Sequence, residues 1–574
     1  MSEFVEQSFE LKDNELLVQE ALSKMEKENY AQRFWKKDPT LWKEEADHRK
    51  IIENSLGWLT VAEEMLAKTE DLQSFSSEVQ SAGFQHIFLL GMGGSSLCPE
   101  VFRRSFGRIK GYPELLVLDS TDPETIRRFE SQIDLGRTLF VVASKSGTTT
   151  EPLMFYEYFF DRVSSVKGKQ AGENFVAITD PGSLLEKIAA EKKFRRTFLN
   201  WPDIGGRYSA LSYFGMVPAA LMGLDVPQLL HQTVETQREC AANIPISKNP
   251  GAELGAILGS LAKEGRDKVT FFIPPPIDSL GLWIEQLIAE STGKDGRGIL
   301  PIAGEPPGSP AVYSADRLFV SISLRDSHNQ AMEDRLRALE NAGHPVVRHE
   351  LQDRLSLGAE FFLWEIATAV AGSLLHIDAF DQPNVQESKD NTKSLLAHYK
   401  KEGKLPEQSL LWSGDGVRVF CDEETLRTLQ GGKTLRDCIQ AHLQRIKPDD
   451  YFALTAYIQE THEHDELLQR IRTEVRNHWK VATTVGYGPR FLHSTGQLHK
   501  GGPPNGVFIQ ITASDVHDLP IPGEPQTFGV LKQAQALGDF QSLSSRHRRA
   551  IRFDCGSEIN AGLTKLLEAV HHPQ

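Results

Sequence analysis

Short apolar runs alternate with helical segments over most of this chain, and this alternation limits its fold more than any other feature. From about residue 84 the runs HIFLLGM, LLVLDST, TLFVVASKS and FVAITD predict buried strands. Helical patterns such as PETIRRFESQI and TEPLMFYEYFFDRV lie between them. Strands that alternate with helices predict a parallel sheet covered on both faces, which is an α/β fold. Such sheets bind their ligands at the carboxyl ends of the strands.

The alternation predicts two α/β units with an extension at each end. The first unit covers residues 76–245. The second covers residues 246–515, with the candidate strands KVTFFIPP, RLFVSISL, HPVVRHEL, DYFALTAYI and GVFIQITA and a charged, mostly helical excursion at about 390–450. Apolar residues at three- and four-residue intervals predict a helical N-terminal extension over 1–75. Residues 516–574 form a C-terminal extension that begins rich in Pro and Gly and ends in a helix.

Charge and cysteine content exclude several classes of protein. The 574 residues include 63 Lys and Arg against 78 Asp and Glu, which gives a net charge of −15. A negative field of this size disfavours polyanions, so we expect no nucleic-acid partner. The five cysteines are odd in number and never form a CxxC pair, which indicates a reducing compartment and argues against a zinc ribbon.

Neither the first residues nor the longest apolar stretch predicts contact with a membrane. The first residues lack the basic-then-apolar layout of a signal peptide. The longest apolar stretch, residues 357–376, is interrupted by Glu360 and Glu365, so it predicts a buried helix and not a membrane span. We therefore expect a cytoplasmic protein.

A glycine-rich turn follows the first predicted strand. It reads Gly91-Met92-Gly93-Gly94-Ser95-Ser96, and Gly94 and Ser95 are its candidate ligand-binding residues. Such a turn lets backbone N–H groups approach an anion at a helix N-terminus. No Lys follows in GK[ST] form, so this is not a Walker sequence. Taken alone, the turn fits a phosphate site and a tight structural turn about equally well.

A second loop of the same kind follows the strand LFVVA. It places five hydroxyl side chains in the seven residues from Ser144 to Thr150, together with Lys145 and one Gly. The candidate ligands here are Ser144, Lys145, Ser146 and Thr149. A hydroxyl-rich helix cap is the alternative. Two anion-type loops after neighbouring candidate strands together favour a site for a compact dianion such as a phosphate monoester.

Two further clusters offer charge stabilisation and a base. Arg207 follows two glycines in GGRYS, where the backbone can approach a ligand that the guanidinium also reaches. Gln286 and Glu290 are four residues apart and therefore share one helix face. A carboxylate at a helix end beside a cleft is a candidate general base. Each residue taken alone is more typical of a solvated surface.

The last two clusters carry titratable side chains. Gln382 and Lys389 lie seven residues apart in FDQPNVQESK. On a helix this spacing would let both side chains face the same cleft. His493 and His499 lie among small residues in LHSTGQLHKGG, which suits an acid/base site and equally a polar loop. The His-rich segment at 462–465 lacks HExxH spacing, so we expect no metal site.

Taken together, the six clusters resemble the phosphoglucose isomerase family. The motifs that carry the resemblance are GMGGSS, SKSGTTTEP, GGRYS, QLIAESTGK, FDQPNVQESK and LHSTGQ. The resemblance implies a fold of two sugar-isomerase (SIS) parallel-sheet α/β sandwich domains. The similarity covers most of the chain from about residue 50 and is greatest to the isomerase half of fusions with transaldolase. It implies interconversion of glucose 6-phosphate and fructose 6-phosphate through a cis-enediol, in glycolysis and gluconeogenesis. It also implies a homodimer that needs no cofactor and no metal.

The resemblance assigns a role to each candidate residue. Those that would bind the sugar or its phosphate are Gly94, Ser95, Ser144, Lys145, Ser146, Thr149, Gln286 and Gln382. Glu290 would be the base that moves a proton between carbon 2 and carbon 1, and Arg207 would stabilise the enediolate. Lys389 and His493 would assist ring opening and closing.

One departure from the family pattern leaves alternatives open. The family's histidine motif precedes its FDQ motif, whereas LHSTGQ here follows it, at 492–497. His499 is therefore an alternative to His493, and Lys532 is an alternative to Lys389. Two alternative functions also stay open: an isomerase that accepts mannose 6-phosphate as well, and a non-catalytic SIS protein that senses a sugar phosphate.

Overall fold

The computed structural model describes residues 4–327, 329–429 and 432–571. The outermost residues of the two predicted extensions, 1–3 and 572–574, lie outside this description. The described strands are, in chain order, β1 (Val5–Glu10), β2 (His86–Leu90), β3 (Glu114–Leu118), β4 (Thr138–Ala143), β5 (Phe175–Thr179), β6 (Arg196–Leu199), β7 (Lys268–Phe272), β8 (Leu300–Ile302), β9 (Arg317–Leu324), β10 (Val346–Leu351), β11 (Ser409–Gly414), β12 (Val417–Cys421), β13 (Tyr451–Tyr457), β14 (Ala482–Tyr487), β15 (Gly506–Thr512) and β16 (Arg549–Asp554).

The described α-helices follow the same order along the chain. They are α1 (Glu15–Lys27), α2 (Tyr30–Trp35), α3 (Ala46–Glu53), α4 (Val61–Leu66), α5 (Thr69–Ser81), α6 (Leu97–Phe106), α7 (Pro123–Gln132), α8 (Thr150–Lys167), α9 (Leu184–Glu191), α10 (Tyr213–Leu221), α11 (Val226–Glu239), α12 (Pro250–Lys263), α13 (Leu280–Thr292), α14 (Gln330–Asn341), α15 (Leu357–Leu374), α16 (Pro383–Glu402), α17 (Glu423–Leu429), α18 (Leu435–Leu443), α19 (His462–Trp479), α20 (Gly496–Gly501), α21 (Phe528–Ser545) and α22 (Ile559–Val570).

The first sheet has the order β3-β2-β4-β5-β6 and is parallel throughout. Strands β2 to β5 are buried almost completely, because helices cover both faces of the sheet, whereas the edge strand β6 is partly exposed. Strands β2 and β4, which the two candidate phosphate loops follow, are direct neighbours. The predicted α/β class is confirmed here, and the carboxyl ends of β2 and β4 bring their loops together.

The second sheet has the order β1-β10-β9-β7-β8 and is parallel except at one edge. At that edge β1 pairs antiparallel with β10, and Val5 lies opposite Leu351. The predicted N-terminal extension is therefore helical only from α1 onward. Its first strand was missed because VEQSFE buries little beyond Val5 and lacks a clean alternation of apolar and polar residues.

The third sheet was not predicted. Its order is β11-β12-β16-β15-β13-β14, and it has its own apolar core. The runs DYFALTAYI and GVFIQITA form β13 and β15 of this sheet, so their assignment to the second unit was wrong. Apolar runs identify buried strands, but they do not indicate which sheet a strand joins.

Two predicted boundaries change with the third sheet. The excursion at about 390–450 contains β11 and β12 as well as helices, and these strands form one edge of the third sheet. The predicted C-terminal extension, 516–574, contains β16, which lies between β12 and β15. Both segments therefore belong to a third α/β unit that begins after α16.

The long apolar stretch forms α15 at the centre of the largest core. Helix α15 is long and apolar enough to cross a membrane, but 94% of its apolar window is buried inside the protein. It packs against α11, α12 and α13. The prediction of a buried helix is confirmed, and the packing fixes α13, which carries the candidate base.

Candidate active site

One cavity of about 360 Å³ contains every residue that the sequence analysis singled out for binding or catalysis. A volume of this size is typical of small-molecule sites. The structure brings these residues together from all three α/β units and from helix α16. They are Gly94, Ser95, Ser144, Lys145, Ser146, Thr149, Arg207, Gln286, Glu290, Gln382, Lys389 and His493.

The glycine-rich turn after β2 packs directly against the loop that carries Arg207. Gly93 has a φ of +59°, which a residue with a side chain rarely adopts. A Cβ atom on Gly94 would lie 2.0 Å from the carbonyl oxygen of Gly206. Only glycine permits this approach, so Gly94 sets the distance between the turn and the loop that carries Arg207.

The hydroxyl-rich loop after β4 is held by hydrogen bonds within itself. Ser144 donates to the hydroxyl of Thr149 at 3.1 Å, and the hydroxyls of Ser146 and Thr148 lie 3.0 Å apart. Helix α8 begins directly after Thr149, whose side chain does not cap it. The first N–H groups of α8 are therefore free of a side-chain cap, and an uncapped helix N-terminus attracts anions.

Lys145 of this loop is already paired. Its ammonium contacts the carboxylate of Asp180 and donates to the carbonyl of Pro202 at 2.8 Å. Burial raises the pKa of Asp180 more than Lys145 lowers it. Asp180 also lines the cavity and was missed from the sequence, although its position directly after β5 was a signal.

Arg207 is buried and makes four hydrogen bonds. Its Nε donates to the hydroxyl of Ser291 at 2.8 Å, and its Nη1 donates to the amide oxygen of Gln382 at 2.7 Å. Its Nη2 donates to the carbonyls of Ala379 and Asp381 at 2.7 and 2.9 Å. The guanidinium therefore has a fixed position, which suits it to stabilise charge that develops beside it.

Helix α13 places Gln286 and Glu290 on one face, as their spacing predicts. Nη1 of Arg207 lies 3.3 Å from Oε1 of Glu290. Gln286 donates to the other carboxylate oxygen at 3.1 Å and to the backbone carbonyl of His493 at 2.7 Å. The carboxylate of Glu290 is thus oriented from both sides within the cavity.

His493 lies at the end of a short 3₁₀ turn, Arg490–His493, that follows β14 of the third sheet. Its Nε2 lies 3.2 Å from Oε1 of Glu151, the second residue of α8. Burial alone would raise the pKa of Glu151, but His493 and, more weakly, Lys389 hold it below its usual value. Glu151 was quoted in SKSGTTTEP but given no role, because its histidine partner comes from the far end of the chain.

The two alternative residues lie elsewhere. His499 is buried against Tyr451 and Phe508, and burial lowers its pKa to about 3. Lys532 is buried between the carboxylates of Asp122 and Asp515. Neither of the two lines the cavity, whereas His493 and Lys389 both do.

Helix α16 forms one wall of the cavity. Gln382 precedes its first turn and Lys389 follows two turns later, so both reach the cavity as their spacing predicts. Lys389 is half-buried, and within the described residues it forms no ion pair. A second cavity, of about 230 Å³, adjoins the first and shares Lys389 and His493 with it.

A group of three potential metal ligands lies behind Arg207. Nδ1 of His48 lies 2.9 Å from Asp378 and 3.7 Å from Asp381. Nζ of Lys294 lies 2.7 Å from Asp381 and donates to two carbonyls of the same loop. Burial lowers the pKa of Lys294 to about 8. The two carboxylates therefore already have side-chain partners, the imidazole of His48 and the ammonium of Lys294.

Residues 55–297 match the family described as phosphoglucose isomerase. The probable glucose-6-phosphate isomerase of Methanococcus maripaludis is 28% identical over 379 residues, which cover 59% of this chain and 84% of the relative. Over residues 55–297 the chain is therefore similar to the phosphoglucose isomerase family. The glucose-6-phosphate isomerase of Nostoc sp. is 32% identical over 256 residues, 41% of this chain and 46% of that protein.

The solved structures agree on the fold. That of glucose-6-phosphate isomerase from Chlamydia trachomatis superposes with a TM-score of 0.54 and 20% identity, over 70% of this chain and 90% of the other. The segment that matches the phosphoglucose isomerase family carries nine of the twelve predicted site residues in the cavity, and three lie beyond it: Gln382, Lys389 and His493.

Proposed function

We propose that this protein is a glucose-6-phosphate isomerase that interconverts glucose 6-phosphate and fructose 6-phosphate through a cis-enediol. The observation that carries the proposal is the position of Glu290. Its carboxylate lies between Arg207 and Gln286, in the same cavity as two anion-type loops. The match of residues 55–297 to the phosphoglucose isomerase family and the glucose-6-phosphate isomerases among the relatives support the same activity.

The two loops would hold the phosphate of the substrate. Ser144, Ser146 and Thr149 supply hydroxyls, and the uncapped start of α8 supplies backbone N–H groups. The turn with Gly94 and Ser95 closes the other side. Because Lys145 is paired with Asp180, we assign it to the shape and charge of the loop. Phosphate binding fixes the sugar and contributes binding energy remote from the reacting carbons.

The chemical step is a proton transfer between two carbons. Glu290 removes the proton from carbon 2 of the open-chain aldose, and the electron pair of that bond forms the C1–C2 double bond of the enediol. As this double bond forms, the carbonyl electron pair of carbon 1 moves onto O1. The same carboxyl group then returns the proton to carbon 1, while the hydroxyl proton of O2 passes to O1 and the carbonyl of carbon 2 forms. Charge develops on the enediolate oxygen, and Arg207 is the fixed donor for it. A positioned base typically contributes about 100- to 10,000-fold to the rate.

The remaining polar groups would orient the sugar and open its ring. Oε1 of Gln286 is buried and has no hydrogen-bond partner among the described residues, so it is available to a sugar hydroxyl. Gln382 lies against Arg207 and would contact the hydroxyls beside the reacting carbons. Ring opening needs one proton delivered to the ring oxygen and one removed from the anomeric hydroxyl. We assign these two transfers to His493 and Lys389.

The proposal also includes the protein's oligomeric state and its location in the cell. The resemblance implies a homodimer, and we include that assembly in the proposal. The five cysteines are free and buried, which fits the reducing cytoplasm. There the reaction would serve glycolysis and gluconeogenesis.

One assay tests the activity and its base together. The purified protein is mixed with fructose 6-phosphate in the presence of EDTA, and glucose 6-phosphate is followed through a coupled dehydrogenase. We expect turnover that Glu290→Gln abolishes. Saturable binding of fructose 6-phosphate without turnover by the wild-type protein would contradict the proposal and favour a sugar-phosphate sensor.

A further inference from the structure

Glu151 accepts a second hydrogen bond in addition to that from His493. Nε2 of Gln535 lies 2.6 Å from the same oxygen, Oε1, that contacts the imidazole. Gln535 lies on α21 of the third α/β unit and is 2% exposed. A donor this close to a buried carboxylate forms a charge-assisted hydrogen bond, which favours the ionised carboxylate.

The orientation of the Gln535 amide is set by a third residue. Thr121, which follows β3, donates from its hydroxyl to Oε1 of Gln535 at 2.8 Å. The amide oxygen therefore faces Thr121, and the amide N–H₂ must face Glu151. Thr121 is fully buried, so water does not compete for this hydrogen bond.

A second contact at the same interface fixes the turn that carries His493. Arg490, the first residue of that turn, contacts both carboxylate oxygens of Asp119 at 2.8 and 2.9 Å. Asp119 directly follows β3 and is 4% exposed. Ser96, from the glycine-rich turn, donates to the same carboxylate at 3.3 Å. A bidentate pair of this kind fixes direction as well as distance.

We propose that Gln535 is a positioning residue for the reaction, which holds the carboxylate of Glu151 so that Glu151 in turn orients His493 for ring opening. The proposal rests on the proposed function. It gives the third α/β unit a second contribution to the site, since the unit supplies both His493 and the amide that positions the partner of His493.

If Gln535 is a positioning residue, its loss should affect ring opening and proton transfer between carbons differently. Glu290, which would perform that transfer, contacts Arg207 and Gln286. Gln286 also contacts His493, but at its backbone carbonyl and not at the imidazole that Glu151 orients. Loss of the Gln535 amide should therefore slow the use of a cyclic sugar and leave the reaction of an open-chain sugar nearly unchanged. A residue that only supported the fold would affect both sugars equally.

The test compares two substrates. Fructose 6-phosphate is largely cyclic, whereas 5-deoxyfructose 6-phosphate lacks the hydroxyl that closes the furanose ring. We expect Gln535→Met to lower kcat/KM for fructose 6-phosphate by about 10- to 100-fold, the range expected for a lost hydrogen bond to a charged group. Deuterium uptake from D₂O into the 5-deoxy sugar should change less than about twofold, within the spread of neutral surface changes.

The pH profile is a second readout. Without the amide donor, the ionised form of Glu151 loses a hydrogen bond, so its pKa rises and the acid limb for fructose 6-phosphate moves to higher pH. The titratable groups that face Glu151 are His493 and Lys389, and the substitution changes neither of these residues.

Thr121→Val and Thr121→Ser form a matched pair that keeps Gln535 itself. Valine has the shape of threonine without the hydroxyl, so Thr121→Val should show a weaker form of the same selective loss, and Thr121→Ser should restore the wild-type ratio of the two rates. Equal loss for both sugars, or no loss for either, in an active protein would overturn the positioning role alone. Wild-type protein that isomerises neither sugar would overturn the proposed function, and the positioning role with it.

Discussion

The guanidinium of Arg207 lies 3.3 Å from the carboxylate of Glu290, and both side chains are almost completely buried. Removal of either partner would leave a buried charge without its counterpart, which is costly. The pair therefore contributes to the stability of the fold as well as to the proposed reaction. Arg207 is held on its other side by two backbone carbonyls of the loop before α16.

Arg207→Lys tests the geometry of this pair while it keeps the charge. A single ammonium cannot reproduce the contacts that Arg207 makes to Ser291, Gln382 and two carbonyls at once. We expect kcat to fall about 100-fold, the effect typical of a lost donor to a developing oxyanion. The measurement is steady-state kinetics with fructose 6-phosphate. A kcat within twofold of the wild type would show that a positive charge alone is sufficient.

Glu290→Gln removes the proposed base and keeps its shape. We expect isomerisation to fall at least about 100-fold while fructose 6-phosphate still binds, since the phosphate loops are unchanged. Glu285→Gln is the matched control, because Glu285 lies on the same helix but outside the cavity, where burial raises its pKa to about 7. A Glu290→Gln variant that keeps more than a tenth of the activity would refute the role of Glu290.

Ser144→Ala combined with Thr149→Ala tests the phosphate loop. The two hydroxyls contact each other and line the cavity, so their loss should weaken phosphate binding and raise KM about 10-fold or more, with a smaller effect on kcat. Ser165→Ala, near the other end of α8, is exposed and should change neither constant. An unchanged KM in the double variant would place the phosphate elsewhere.

His493→Ala and His499→Ala should differ in kind. His493 lines the cavity, so its loss should impair the use of cyclic sugars while the protein stays folded. His499 is packed among aromatic rings, and its loss should lower the free energy of unfolding by about 3 kcal/mol without selective loss of ring opening. Kinetics on both sugars and urea denaturation separate the two. Exchanged phenotypes would mean that the histidine was identified wrongly.

Stability should fall as the pH falls below about 6.5, because two buried histidines resist protonation. Burial lowers the pKa of His442 and of His499 to about 3, whereas both titrate near 6.5 in the unfolded chain. Between these values the unfolded state binds more protons, so each histidine removes up to ~1.36 kcal/mol of stability per pH unit. His499→Phe should flatten this dependence, as measured by urea midpoints from pH 6.5 to 4.5. An unchanged slope would mean that His499 is protonated in the folded protein.

The sequence predicted the site better than it predicted the domains. Gly94 and Ser144 each lie in a loop that follows a buried strand, and parallel strands bring such positions to one edge of a sheet. The spacing of Gln286 and Glu290 fixed their common helix face. These are local properties, which a single sequence displays directly.

The parts that were missed depend on contacts between distant segments. The third sheet contains apolar runs that look like those of the second, and nothing in β13 shows that β16 completes its sheet. Glu151 looks like an ordinary acidic residue in the first turn of a helix. Its importance follows from Gln535 and His493, which meet it only after the third unit has packed against the first.

The position of β16 affects when the protein becomes active during its synthesis. This strand, Arg549–Asp554, lies between β12 and β15, so the third sheet stays divided until the ribosome has passed Asp554. Up to that point the glycine-rich turn, the hydroxyl loop and Glu290 have all been translated, but the turn that carries His493 lacks its supporting sheet. A nascent chain would therefore acquire the proposed phosphate site before the proposed ring-opening histidine has its supporting sheet.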